Sequence, residues 1–219
     1  LTAREARAHG VNWALAPVCD LDLAPANPFL GARAFGAEAQ RSAEWVVEWV
    51  DTCQSEGVLA CARHFPGIGR AMFDPQLVRG SIEAPAGLLW AEDMLPFRAA
   101  VDTGVASVLV AAVEFPALDA SRVIASQSQP LLRQLLRDEL HFEGLIVGEA
   151  LGEALGDPTA AFAGGCDLLL GPTDPHALVE EIETGIESGA LSIDALEESL
   201  NRRQFWADWG RAAPGREPT

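Results

Sequence analysis

Five short runs of nearly continuous apolar residues punctuate the chain: VNWALAPV (11–18), GVLACARHF (57–65), ASVLVAAV (106–113), GLIVGEA (144–150) and CDLLLGP (166–172). Each has the length and character of a strand buried on both faces. Helix-length stretches lie between them at EAQRSAEWVVEWVDTCQSEG (38–57), WAEDMLPFRAAVDTG (90–104) and SQPLLRQLLRDELHF (128–142), with DPHALVEEIETGIESG (174–189) after the last. Leu131, Leu132, Leu135, Leu136 and Leu140 share one helical face, and Gly57, Gly104 and Gly189 stand where helix C-caps belong. A closing helix is expected from Ser192 to about Trp209. Strand-then-helix alternation calls for a parallel sheet covered by helices. A doubly wound open sheet would carry a G-x-G-x-x-G turn after an early strand, and none occurs. The expected fold is therefore α/β, of (β/α)8 TIM-barrel type, with about five of the eight βα units present. Residues 1–209 are expected to form this domain, incomplete at its N-terminus, and 210–219 to form a fraying tail.

Composition narrows the function classes. Of the 219 residues, 32 are acidic and 15 basic, giving a formal charge of −17. That balance argues against nucleic acid and against an anionic membrane surface, both of which need a basic face. No run of eighteen apolar residues occurs and the first ten residues carry charges without an apolar core, so neither a spanning helix nor a signal peptide is visible. The chain opens on Leu1 rather than Met, which leaves room for a segment upstream. Cys19, Cys53, Cys61 and Cys166 are scattered, without a Cys-x-x-Cys or a nearby His pair, so they read as free core thiols in a reducing, cytoplasmic compartment. No cofactor or metal constellation is apparent. Every basic residue is Arg, which removes Schiff-base chemistry through lysine.

In a barrel, chemistry gathers at the C-terminal ends of the strands. Those ends carry Asp20 and Asp22 after the first run, Arg33 in the following loop, Arg63 and His64 after the second, Glu114 after the third and Glu149 after the fourth. An unpaired carboxylate is costly to bury in a core, so Glu149 is expected to face a site. The bland alternatives are a structural His64 and an Arg33 that merely pairs with Asp20 or Asp22. Trp45, Trp49, Trp206 and Trp209 fall at helix-packing spacings.

The segment GVNWALAPVCDLDLAPANPFLGARAFG (10–36) resembles the stretch of glycoside hydrolase family 3 that reads roughly G-I-N-x-x-x-A-P-V-x-D-V and then N-P-x-I-G-x-R-S-F-G. ARHFPGIG (62–69) is similar to its K-H-F-P-G-H-G, EFPALD (114–119) to its F-P-A-L-D, and LLRDELHFEGLIVGEAL (135–151) to its L-L-R-x-E-L-G-F-D-G-V-V-V-T-D-A-L. The nearest branch is that of the bacterial β-N-acetylglucosaminidases. The match begins where three barrel strands should already have passed. That agrees with an N-terminally incomplete barrel, whose unpaired edges would favour self-association.

The resemblance implies retaining hydrolysis through a glycosyl-enzyme, with no cofactor. Glu149 occupies the position of the nucleophilic Asp, Arg33 and His64 stand unchanged as sugar contacts, and Arg63 replaces Lys. Asp20 falls in the same substrate-binding group. Asp74 matches the Asp of the family's D-S-H acid/base triplet, but Pro75 and Gln76 replace Ser and His. Ile68 and Ala112 also replace family histidines. The longer Glu side chain shifts its oxygens by about 1.5 Å, and about 1 Å of misplacement can cost ~10²-fold. An amide has no titratable proton, and general acid catalysis is worth roughly 10²–10⁴-fold. The expectation is a β-N-acetylhexosaminidase or β-glycosidase acting on amino-sugar glycosides such as cell-wall fragments, with impaired catalysis. Asp74 could itself supply the acid. The alternative is a sugar- or partner-binding descendant without turnover.

Overall fold

The computed structural model describes residues 2–24, 27, 29–75, 77–149 and 157–212. Four parallel strands form one sheet in sequential order: β1 (Cys61–Phe65), β2 (Ser107–Val110), β3 (Leu145–Glu149) and β4 (Leu168–Leu170). The first apolar run adds a fifth, broken segment beside β1. Trp13 bridges Leu59 and Val18 bridges Arg63, both in parallel, while Cys61 and Arg63 donate to the Ala16 and Pro17 carbonyls. Pro17 brings no N–H to a ladder, so this segment pairs through isolated bridges instead of a continuous strand. Five strand-like segments thus stand where five were expected, one of them irregular. The fold is α/β with a partial parallel sheet, the arrangement of an incomplete TIM-like barrel.

Helices fill the connections: α1 (Thr2–Ala8), α2 (Ala39–Ser55), α3 (Ala86–Leu88), α4 (Leu95–Asp102), α5 (Pro158–Gly164), α6 (Pro175–Glu187) and α7 (Ile193–Ala212). The stretch expected as an α-helix over 128–142 winds instead as a π-helix, Pro130–Glu139, and a second π-segment, Leu89–Asp93, joins α3 to α4. Leu131, Leu132 and Leu136 are buried against the core, as the leucine face predicted. The short α5 was not anticipated; Asp157 caps it by accepting from the Thr159 N–H at 2.8 Å. Gly57, Gly104 and Gly189 take φ of +81°, +80° and +75°, the left-handed conformation that a C-cap requires.

The sheet has two apolar faces. Val108, Val110, Ile146 and Phe65 pack into the main core with Val46, Val50, Phe97 and Leu132 from the helices. On the opposite face Cys61, Leu109, Leu145 and Val147 form a separate cluster, covered by Trp13, Leu15, Leu168, Leu170 and, from α7, Trp206. All four cysteines are free and buried. Burial pushes the Cys53 thiol up to about 11 and the Cys61 thiol up to about 12. Trp45 differs from the packing role expected of it, being 50% exposed. Among the described residues no helix is long and apolar enough to cross a membrane.

A buried carboxylate locks the last helix to the sheet. Asp167 accepts from the Ile146 N–H at 2.8 Å, Arg137 at 2.6 Å, the Ser199 hydroxyl at 2.7 Å and Arg202 at 3.0 Å. Removing one partner of such a cluster strands the others without solvent. Asp167→Ala is expected to cost about 3 kcal/mol, lowering Tm by roughly 10 °C in a thermal melt.

Candidate active site at the C-terminal edge of the sheet

Side chains alternate across a strand, so Arg63 shares a face with Cys61, and Glu149 shares it with Leu145 and Val147. That face is apolar over most of its height and charged at its C-terminal edge. Arg63 and Glu149 therefore emerge from the rim of an apolar layer, where water is scarce and charge is strongly felt.

Glu149 is 7% exposed, and burial raises its pKa. His64, Arg63 and Arg33 oppose the rise electrostatically, while Asp20 adds to it. Five of the residues singled out in the sequence thus act on one another across the same rim. Burial in turn lowers the Arg63 pKa, and the nearby Arg33 lowers it further.

Asp20 is the organising group. Its Oδ2 accepts from His64 Nδ1 at 2.7 Å and from the His64 main-chain N–H at 3.1 Å, and its Oδ1 accepts from the Ile68 N–H at 2.8 Å. His64 and Asp20 are each 1% exposed. His64 Nε2 and Arg63 Nε are buried without a hydrogen-bond partner. Two buried polar atoms on adjacent residues thus lack a hydrogen-bond partner, a condition that costs about 1–3 kcal/mol for each group.

Arg33 pairs with neither Asp20 nor Asp22. It donates to the main-chain carbonyls of Phe29 and Leu30, and its guanidinium lies 4.6 Å from the centroid of the Phe29 ring. Phe29 also meets the His64 ring edge-on at 5.1 Å. Phe29 was missed in the sequence, although its spacing four residues before Arg33 was a usable signal.

Asp74 lies half-buried on the loop that leaves β1, and its carbonyl accepts from the Leu77 and Val78 N–H groups. Both ends of that loop are fixed at the C-terminal edge. At the near end Gly69 passes so close to the main chain that an added Cβ would sit 2.1 Å from the Leu21 carbonyl oxygen, and Arg70 grips buried Asp93 at 2.9 Å. At the far end Ile82 donates to the Glu114 carbonyl, Gly80 accepts from the Glu114 N–H, and Arg79 bonds the Glu114 carboxylate at 2.7 Å. Glu114 thus serves as an anchor for this loop. Gln76 lies outside the described residues. No group of three or more metal-ligating side chains occurs among the described residues.

The fold that carries these residues has counterparts among solved structures. A β-N-acetylglucosaminidase of glycoside hydrolase family 3 from Paenibacillus sp. str. FPU-7 superposes with a TM-score of 0.91 at 29% identity, covering 100% of this chain and 44% of that one. A β-glucoside phosphorylase superposes with a TM-score of 0.90 at 25% identity, over 99% of this chain and 42% of that one. In sequence, a β-N-acetylglucosaminidase/β-glucosidase of Cellulomonas fimi is 33% identical over 217 residues, and a β-hexosaminidase of Xanthomonas campestris pv. campestris is 33% identical over 204. The match takes in 91% and 90% of this chain, which spans 38% and 60% of those proteins. The profile of the Glycosyl hydrolase family 3 N terminal domain matches residues 1–204, and the chain belongs to that family.

Proposed function

We propose that the chain is a retaining β-glycosidase unit of β-N-acetylhexosaminidase type, built as part of a (β/α)8 barrel, with Glu149 as nucleophile and reduced catalytic power. The observation that carries this reading is the buried Glu149 carboxylate at the end of β3, on one sheet face with Arg63 and within electrostatic reach of His64 and Arg33. A carboxylate so placed can attack an anomeric carbon once ionised, and the Arg63 and Arg33 guanidinium groups offset part of the cost that burial sets on that ionised form. Arg33 and Arg63 are donors only and suit the hydroxyl oxygens of a saccharide. The relatives named for hexosaminidase and glucosaminidase activity favour an amino-sugar glycoside.

The weak point is proton delivery. Gln76, at the position of the family's acid/base His, has no proton to give, which leaves Asp74 as the carboxyl acid on that loop. The same substitution favours a second reading, a saccharide-binding unit without turnover.

An aryl β-N-acetylglucosaminide with a good leaving group tests both, because such a leaving group needs little protonation. Turnover that falls steeply as the leaving group worsens is expected. No turnover, with saturable sugar binding by calorimetry, would favour the binding unit. In either case Arg33→Ala is expected to weaken sugar binding by about 10-fold or more, the cost of losing a charge-assisted contact. Unchanged affinity in that variant would remove Arg33 from the site.

A further inference from the structure

We propose that the groove between α1 and α2 is a second saccharide site, which takes a short, neutral, β-linked oligosaccharide on the rings of Trp45, Trp49 and Phe35. The site needs neither Glu149 nor turnover, so it stands apart from the reading above. The groove holds about 420 Å³, within the range of small-molecule sites, and is lined by those three rings together with Arg4, Glu48 and Glu56. Trp45 and Trp49 are four residues apart on α2, so they leave one side of the helix about 6 Å apart along its axis. Trp49 packs against the main core, whereas Trp45 is 50% exposed and Phe35 39%. α2 already fills the core with Ala43, Val46, Val50 and Cys53, so the Trp45 ring is surplus to its packing. On the other wall α1 contributes Ala3, whose small side chain leaves room beside the rings. Arg4 ties the two helices together, its Nε and Nη2 both donating to Glu56 Oε1, at 2.9 and 2.7 Å. The walls are therefore set before a ligand arrives, which lowers the cost of binding.

Rings bordered by charged side chains match a pyranose, which carries a face of C–H groups and a rim of hydroxyls. Glu48 can accept from such hydroxyls, and the remaining N–H groups of Arg4 can donate to them. The spacing of the two indoles is close to the repeat of a β-linked pyranose chain, so that successive units can each meet a ring. Two carboxylates on the border, in a chain of formal charge −17, repel an anionic sugar or an anionic lipid surface. A lipid tail or an apolar peptide would strip water from the same carboxylates without replacing it. The groove also lies away from the candidate active site. Val46 and Val50 of α2 pack on the sheet face that holds Phe65 and Val108, while Arg63 and Glu149 share the opposite face with Cys61, Leu145 and Val147.

The test is a titration of the full chain, carrying Glu149→Gln so that the probe is not cleaved, with chitotriose, the neutral β-linked trimer of N-acetylglucosamine. The indole N–H signals of Trp45 and Trp49, assigned with Trp45→Phe and Trp49→Phe, are expected to shift saturably in nitrogen-15 spectra. Trp45→Ala is expected to weaken that binding by about 10-fold or more while melting like its parent, and Trp45→Phe, which keeps a ring, to retain most of the affinity. Trigalacturonate, an anionic trimer, is expected to leave both signals in place. Unmoved indole signals, shifts indifferent to Trp45→Ala, or an equal response to trigalacturonate overturn the proposal. Signals that broaden with protein concentration before any sugar is added overturn it too, since a second copy of the chain would then cover the groove. Chitotriose binding that is lost in Arg33→Ala and unchanged in Trp45→Ala overturns the groove and keeps the active-site reading. Saturable shifts at Trp45 with no sugar bound through Arg33 support the groove and remove that reading instead.

Discussion

Glu149→Gln is expected to abolish turnover of an activated aryl glycoside, by about 10³-fold or more, and at the same time to raise the melting temperature at neutral pH. The first effect comes from removing the nucleophile, since an amide oxygen cannot form the glycosyl-enzyme. The second comes from linkage. Burial raises the Glu149 pKa above its ordinary value of 4.5, so between that value and the raised one the folded chain binds more protons than the unfolded chain. Stability then falls as pH rises through that window. The contribution of Glu149 is fully present below about pH 4.5 and is lost as pH rises through the raised pKa, so the ionised form is a burden on the fold. Gln keeps the shape and never ionises. In a chain of this length each kcal/mol moves Tm by about 2–4 °C, a shift that calorimetry resolves readily. The gain should shrink as the melts are repeated toward pH 4. A variant that melts lower than the wild type at pH 7 would mean that Glu149 is held in place by attraction, with burial the lesser influence.

Asp20→Ala carries the largest expected loss of stability. The carboxylate is buried and receives three hydrogen bonds, two of them from main-chain N–H groups, that of His64 within β1 and that of Ile68 on the loop that leaves it. Deleting it strands all three donors in an apolar setting, and breaking a buried charged cluster in this way costs about 3–5 kcal/mol. The corresponding drop in Tm is about 10–15 °C, read from a thermal melt at fixed pH. Amide exchange offers a sharper check, because the His64 and Ile68 N–H groups should lose protection ahead of the rest of the sheet. Global loosening without that local signature would place the role of Asp20 elsewhere.

Much of this site was legible along the chain. Asp20, Arg33, Arg63, His64 and Glu149 stand at or just beyond the ends of apolar runs, and in a parallel α/β sheet the residues past each strand collect at one edge. Asp74 falls on the loop that leaves β1, but the sequence supplies no measure of where a loop of that length carries its middle. Asp20 was expected among the sugar contacts, since an acidic residue at a strand end reads as ready for ligand, and only the fold brings the His64 ring and the Ile68 N–H onto its two oxygens. Phe29 escaped notice because a ring in a loop has no periodicity to announce it, and its spacing from Arg33 was the one signal on offer.

By itself the sequence determined the alternation of strands and helices, the caps at Gly57, Gly104 and Gly189, and the set of charged groups at the strand ends. These depend on apolar spacing and backbone sterics within a few residues of each position. Only the tertiary structure decided the broken pairing of residues 11–19, the π-winding of Pro130–Glu139, the Asp167 clasp and the open atoms on Arg63 and His64. Each of these depends on which groups the folded chain leaves within hydrogen-bonding reach, and Asp167 meets Ile146 and Arg202 across 21 and 35 residues of sequence.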